Sequence, residues 1–119
     1  MINPIIGIIG GGQLGSMLAA AAKKINIKTI IFSDDIESPA KNFSNEFIYG
    51  SYDDEHKIKE FIKKVDIVTF EFENIPYETL KKINESKKVL PKPEVNKIVQ
   101  NRLTEKDFLN KININTTKY

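Results

Sequence analysis

Ile5-Ile6-Gly7-Ile8-Ile9-Gly10-Gly11-Gly12-Gln13-Leu14-Gly15 is the stretch that decides the fold of this chain. The apolar run Ile5 to Ile9 reads as a buried strand, and Gly10 to Gly15 spells G-x-G-x-x-G directly behind it. Glycines at this junction allow a tight turn, a close approach of bare backbone to a ligand, and close packing of the next helix on the strand. Leu14, Met17, Leu18, Ala21 and Ile25 then recur at helical spacing, with alanines between them that permit close contact with a sheet. The head of such a helix presents free N–H groups and a partial positive charge to an anion.

Outward from this unit the same alternation continues. Thr29 to Phe32 is a short β-branched and apolar run closed by Ser33-Asp34-Asp35, and Glu46 to Tyr49 is a third strand by the same criteria. Asp53 or Asp54 caps a helix whose apolar stripe is Ile58, Phe61, Ile62 and Val65. Asp66 to Phe70 reads as a fourth strand, Pro76 opens the next helix with Leu80 and Ile83 on its buried face, and Val89-Leu90 before Pro91 reads as a fifth strand. Strands alternating with amphipathic helices at these spacings predict an α/β fold with a mostly parallel sheet of about five strands flanked by helices, joined by right-handed crossovers. Pro91-Lys92-Pro93 punctuates the chain, and the helical patterns beyond it (Val95, Ile98, Val99, then Leu103, Phe108, Leu109, Ile112) read as a bridge to a further domain. The expected division is therefore 1–93 for the first domain and 94–119 for linker helices and the start of a truncated second one.

The 119 residues suit one small domain, and 40% hydrophobic residues suffice for a single core. Eighteen basic and sixteen acidic side chains nearly cancel to +2, which gives no reason to expect a nucleic acid or a membrane surface as partner. Without cysteine the chain offers neither a disulfide framework nor a thiolate nucleophile, in keeping with a reducing cytoplasm. No segment approaches the ~20 apolar residues that span a bilayer, and the N-terminus lacks the pattern of a signal peptide.

Three segments bear on chemistry. The glycine loop, if it is more than a packing turn, points to a nucleotide or phosphorylated ligand at the carboxyl edge of the sheet. A dinucleotide-binding dehydrogenase would add an acidic residue at the end of the second strand, where Asp34 and Asp35 stand, although solvated turn residues explain them equally well. Phe70-Glu71-Phe72-Glu73-Asn74-Ile75-Pro76 alternates carboxylates with aromatics at the end of a strand, so Glu71 and Glu73 share one side and Phe70 and Phe72 the other. Carboxylates on a covered sheet face need partners, a ligand or an early end to the strand; if the strand stops at Phe70 they are simply solvated. In Asn101-Arg102-Leu103-Thr104-Glu105-Lys106, the chain's single arginine supplies a planar fork suited to phosphate, or else an exposed helix charge. His56 has no partner pattern and reads as a solvated residue in the first turn of a helix.

In order, Gly12-Gln13-Leu14-Gly15, Phe70 to Pro76 and Asn101 to Lys106 resemble the N-terminal region of the N5-carboxyaminoimidazole ribonucleotide synthase family, ATP-grasp ligases of purine biosynthesis. The resemblance implies a Rossmann-like pre-ATP-grasp domain ahead of ATP-grasp and C-terminal domains. It implies a reaction in which 5-aminoimidazole ribonucleotide, bicarbonate and MgATP yield the N5-carboxylated ribonucleotide, ADP and phosphate, through carboxyphosphate. It places Gly12, Gln13 and Leu14 in the ribonucleotide pocket with Glu73 and Asn74 beside it, and assigns Arg102 to ATP. The ligands for Mg2+ and the catalytic groups are expected beyond residue 119, so the resemblance predicts no ligase activity for this region alone. It further implies a cytoplasmic homodimer for the full-length enzyme. Ser16 departs from the family, whose members often carry arginine there, and removes a charge-assisted contact from the loop. The competing readings are a formate-dependent glycinamide ribonucleotide transformylase, which typically has glutamate at the position of Gln13, an NAD-binding dehydrogenase domain, and a noncatalytic nucleotide-binding or dimerisation module.

Overall fold

The computed structural model describes residues 3–71, 75–99, 108–109 and 111–112. Four parallel strands form the sheet: β1 (Ile6–Ile9), β2 (Thr29–Ser33), β3 (Glu46–Tyr49) and β4 (Ile67–Phe70), in the order β3-β2-β1-β4. Between them run α1 (Gln13–Lys24), a 3-10 turn (Pro39–Asn42) and α2 (Glu55–Lys64), followed after β4 by α3 (Tyr77–Asn84) and α4 (Pro93–Val99). Among the described residues, no helix is long and apolar enough to cross a membrane.

The register of the strands explains the two layers. Gly7 and Ile9 pair with Ile30 and Phe32 on β2 and with Val68 and Phe70 on β4, and this face meets α2 and α3. There the main core assembles from Ile9, Ile30, Phe32, Ile48, Ile58, Phe61, Val65, Val68, Ile75, Leu80, Ile83 and Val89. Phe61 lies over Gly7: a Cβ at Gly7 would sit 2.5 Å from its Cζ, so the sheet centre is hollowed to admit an aromatic ring. Phe32 meets that ring edge-on at 5.7 Å between centroids, a geometry favoured by ring quadrupoles. Asp54 caps α2 by accepting the Lys57 backbone N–H at 3.1 Å, which settles the choice between Asp53 and Asp54.

The opposite face is thinner. Ile8, Ile31 and Ala40 form a small cluster there, and α1 lies against it with Gly15, Ser16, Ala19 and Ala22 buried. Two of the alanines expected to allow close contact with the sheet, Ala19 and Ala22, lie on this buried face, while the apolar residues that recur at helical spacing point outward: Leu14 is 56% exposed, Met17 60%, Leu18 45% and Ile25 65%, with Ala21 exposed too. A helix drawn close to a sheet has room only for small side chains at the contact, so the glycine, serine and alanines take the inner face and the long side chains are displaced outward.

The sheet has four strands, not five. Where a fifth was expected, Val89 makes a single parallel bridge to Val68, with Val68 N–H donating to Lys88 O and Leu90 N–H to Val68 O, both at 2.9 Å. Pairing does not extend beyond this bridge, and the Val89 N–H, which points away from β4, donates to the Asn84 side chain at 3.0 Å.

Candidate functional site

From β1 the chain winds outward through β2 to β3, then returns to place β4 on the other side of β1. Such a reversal opens a crevice at the carboxyl ends of the two strands where ligands of open α/β sheets bind. Here its walls are the loop after β1, Gly10 to Gly12, and the segment that leaves β4 at Glu71. Gly10 makes the turn with φ 103°, a conformation that side chains other than glycine's avoid. Gly15 then lies so near the strand that a Cβ on it would stand 2.8 Å from the Gly10 carbonyl oxygen. The third glycine of the motif is thus demanded by close packing of helix on strand.

Glu71 closes the crevice at this point. Its backbone N–H still bonds Ile9 O at 3.1 Å, one step past the end of β4. Because Phe70 faces the main core, alternation sends the Glu71 side chain to the α1 face. There Oε1 accepts the Gly12 N–H and Oε2 the Gly15 N–H, each at 3.1 Å. Within α1 itself, the Gly12 cap has no side chain to accept these donors and no acidic residue occupies the first turn. A carboxylate 59 residues away in sequence supplies the missing cap and the negative charge favoured at a helix head. The strand does end at Phe70, but Glu71 is not simply solvated: it is half-buried and bonded.

The other predicted residues fall as follows. Gly12 caps α1 with its N–H on Glu71, while Gln13 and Leu14 are exposed on the first helical turn. Glu73, Asn74 and Arg102 lie outside the described residues. Ser16, at the family's arginine position, is buried and donates its hydroxyl to Gly12 O at 3.0 Å, so it supports the helical turn. Asp35 accepts the Glu37 N–H at 2.9 Å in a local turn, one of the two acids a dinucleotide ribose would have used.

Two residues missed in the sequence also shape this region. Asn96 of α4 is fully buried and donates to Ile75 O at 2.8 Å, tying α4 to the segment that returns from the crevice. Tyr52 packs its ring on Phe32 at 5.9 Å, and its buried hydroxyl makes no hydrogen bond of ordinary geometry although Asp34 and Glu71 lie within electrostatic reach. Burial first, then the Asp34 carboxylate, pushes its phenol well above the usual range. A raised folded-state value means that the unfolded chain loses this proton first, so stability is intact below about pH 10 and falls as pH climbs past it. Tyr52→Phe is expected to leave stability at pH 7 within about 1 kcal/mol and to shrink the alkaline loss. Urea midpoints between pH 7 and 11 check this, and an unchanged alkaline slope would refute it.

A second concavity, about 360 Å³, opens between α2 and α3 beside Tyr52, Ile58, Ile62, Thr79 and Lys82. It is mostly apolar and lies off the strand ends, so the crevice at the topological switch is the better candidate.

Fold and crevice together define the class. The chain belongs to the ribonucleotide synthetase preATP-grasp domain family, matched over residues 4–100. Among its relatives, the N5-carboxyaminoimidazole ribonucleotide synthase of Brucella melitensis is 44% identical over 96% of this chain and 32% of its own length. The crystal structure of N5-carboxyaminoimidazole ribonucleotide synthetase from Thermus thermophilus superposes with a TM-score of 0.89 at 32% identity, over 93% of this chain and 31% of that one. The N5-carboxyaminoimidazole synthase of Aspergillus clavatus, solved in complex with ADP and 5-aminoimidazole ribonucleotide, gives a TM-score of 0.86 at 29% identity, over 98% of this chain and 31% of that one. The chain therefore spans about a third of the length of these relatives.

Proposed function

We propose that this chain is the N-terminal, ribonucleotide-facing part of an ATP-dependent carbon–nitrogen ligase of purine biosynthesis, one that carboxylates 5-aminoimidazole ribonucleotide with bicarbonate and releases ADP and phosphate. The observation that carries the reading is the family match over residues 4–100 on a fold whose switch-point crevice lies between the Gly10 to Gly12 loop and Glu71. In this reading Gly12, Gln13, Leu14, Glu73 and Asn74 bind the ribonucleotide, and Arg102 holds ATP. The first domain ends near residue 93, and residues 94–119 lead into the ATP-grasp domain. The working enzyme is a cytoplasmic homodimer.

Among the described residues, no group of three or more His, Asp or Glu side chains is placed to hold a metal ion. In this reading, as the family resemblance implies, Mg2+ and the transfer of phosphate belong to the remainder of a polypeptide of the relatives' length. What this region contributes is a shaped wall that orients the ribonucleotide amine and keeps water from a labile intermediate.

Calorimetry of the chain with 5-aminoimidazole ribonucleotide and with NAD tests the reading. Heat from the ribonucleotide and none from NAD is expected; tight NAD binding abolished by Asp34→Ala would replace the ligase with a dehydrogenase domain. In the full-length enzyme, Arg102→Ala is expected to raise the KM for ATP about tenfold while the KM for the ribonucleotide moves far less. Equal changes in both would remove Arg102 from the ATP site.

A further inference from the structure

We propose that Glu71 sets the ligand selectivity of the glycine loop: its carboxylate takes the anion position at the head of α1, so phosphate is turned away and the loop receives uncharged parts of a ligand. The inference goes beyond the ligase reading and does not require it.

Four observations converge. Two of the amides that the head of α1 offers to an anion, those of Gly12 and Gly15, are spent on Glu71, at 3.1 Å each. The carboxylate also stands hard against the loop, since a Cβ at Gly12 would lie 2.9 Å from Oε1. A second anion at this place would need to displace the first or share donors with it. The loop and α1 up to Ala22 offer no compensating cation of their own, because no lysine or arginine occurs from Gly10 through Ala22, and Ser16 turns its hydroxyl inward to Gly12 O. Glu71 is also no mobile loop residue: its own N–H is held by Ile9 O, which keeps the carboxylate at the loop through the register of β4 against β1. The motif that announces a phosphate cradle therefore carries its anion within the chain.

Phosphate titration followed on the Gly12 and Gly15 amide resonances tests this, using the 119-residue chain as wild type, Glu71→Gln and Glu71→Ala, with inorganic phosphate as probe. Wild-type amides are expected to stay unmoved, whereas Glu71→Ala shows saturable shifts at both glycines, with affinity at least about tenfold above any wild-type response. Glu71→Gln keeps one acceptor oxygen and removes the charge, so it retains the fold and gains phosphate-dependent shifts. Wild-type amides that bind phosphate as tightly as those of the variants would overturn the proposal. So would folded Glu71→Gln and Glu71→Ala chains that both ignore phosphate. A measurement without substitution stands beside these: hydrogen-bond couplings from the Gly12 and Gly15 nitrogens to the Glu71 carboxyl carbon are expected in the wild type, and their absence refutes the proposal whatever the variants do.

Discussion

Phe61→Ala is expected to cost about 4 kcal/mol, a large part of what a domain of this size has to spend. Phe61 has no exposed surface, stacks edge-on against Phe32, and fills the hollow above Gly7 together with Val65. Removing the ring loses its transfer free energy and leaves a cavity, because the centre of a four-stranded sheet cannot sink to fill it. The urea midpoint reads the loss, and a change below about 1 kcal/mol would mean that the core rearranges around the gap. Gly7→Ala offers a second reading of the same contact. In the wild type its Cβ would lie 2.5 Å from Phe61 and 2.9 Å from Val65, whereas in the Phe61→Ala background the closer of the two clashes is relieved, so the two substitutions are expected to be non-additive.

Gly15→Val is expected to cost about 3 kcal/mol and to loosen the crevice as well. The new Cβ meets the Gly10 carbonyl oxygen at 2.8 Å, and that oxygen is backbone, held in a turn whose φ is already positive. The helix must move away from the strand, and its movement stretches the Gly15 N–H bond to Glu71. A control separates this clash from the helix propensity of valine. Leu14→Val, one residue earlier and exposed, is expected to stay within about 0.5 kcal/mol of wild type in the same urea titration. Comparable losses at both positions would show that propensity, not the close approach of helix and strand, sets the effect.

Much of the architecture was legible in local patterns. Ile5 to Ile9, Thr29 to Phe32, Glu46 to Tyr49 and Asp66 to Phe70 read as strands from their apolar or β-branched runs, and the structure has a strand within one residue of each. The stripe of α2 also lands as expected, with Ile58, Phe61 and Val65 buried. The orientation of α1 was legible in part: its alanines marked the close contact with the sheet, but the helix also carries a long apolar face. Which face packs depends on how near the sheet lies, and that distance is a property of the whole layer. Val89-Leu90 has strand composition, but that its pairing with β4 is limited to one bridge at Val68 appears only in three dimensions.

The site divides along the same line. The sequence by itself determined the strand–glycine–helix unit, the carboxylate alternation after β4 and the resemblance that fits the family match, since each depends on residues close together in the chain. Only the tertiary structure decided that Glu71 and the glycine loop belong to each other. That contact requires β4 to lie beside β1, its register to be Ile9 against Phe70, and α1 to cover the face toward which Glu71 points. Pairing of strands distant in sequence sets all three, and no local pattern of residues encodes which donors a carboxylate will find when the chain has closed.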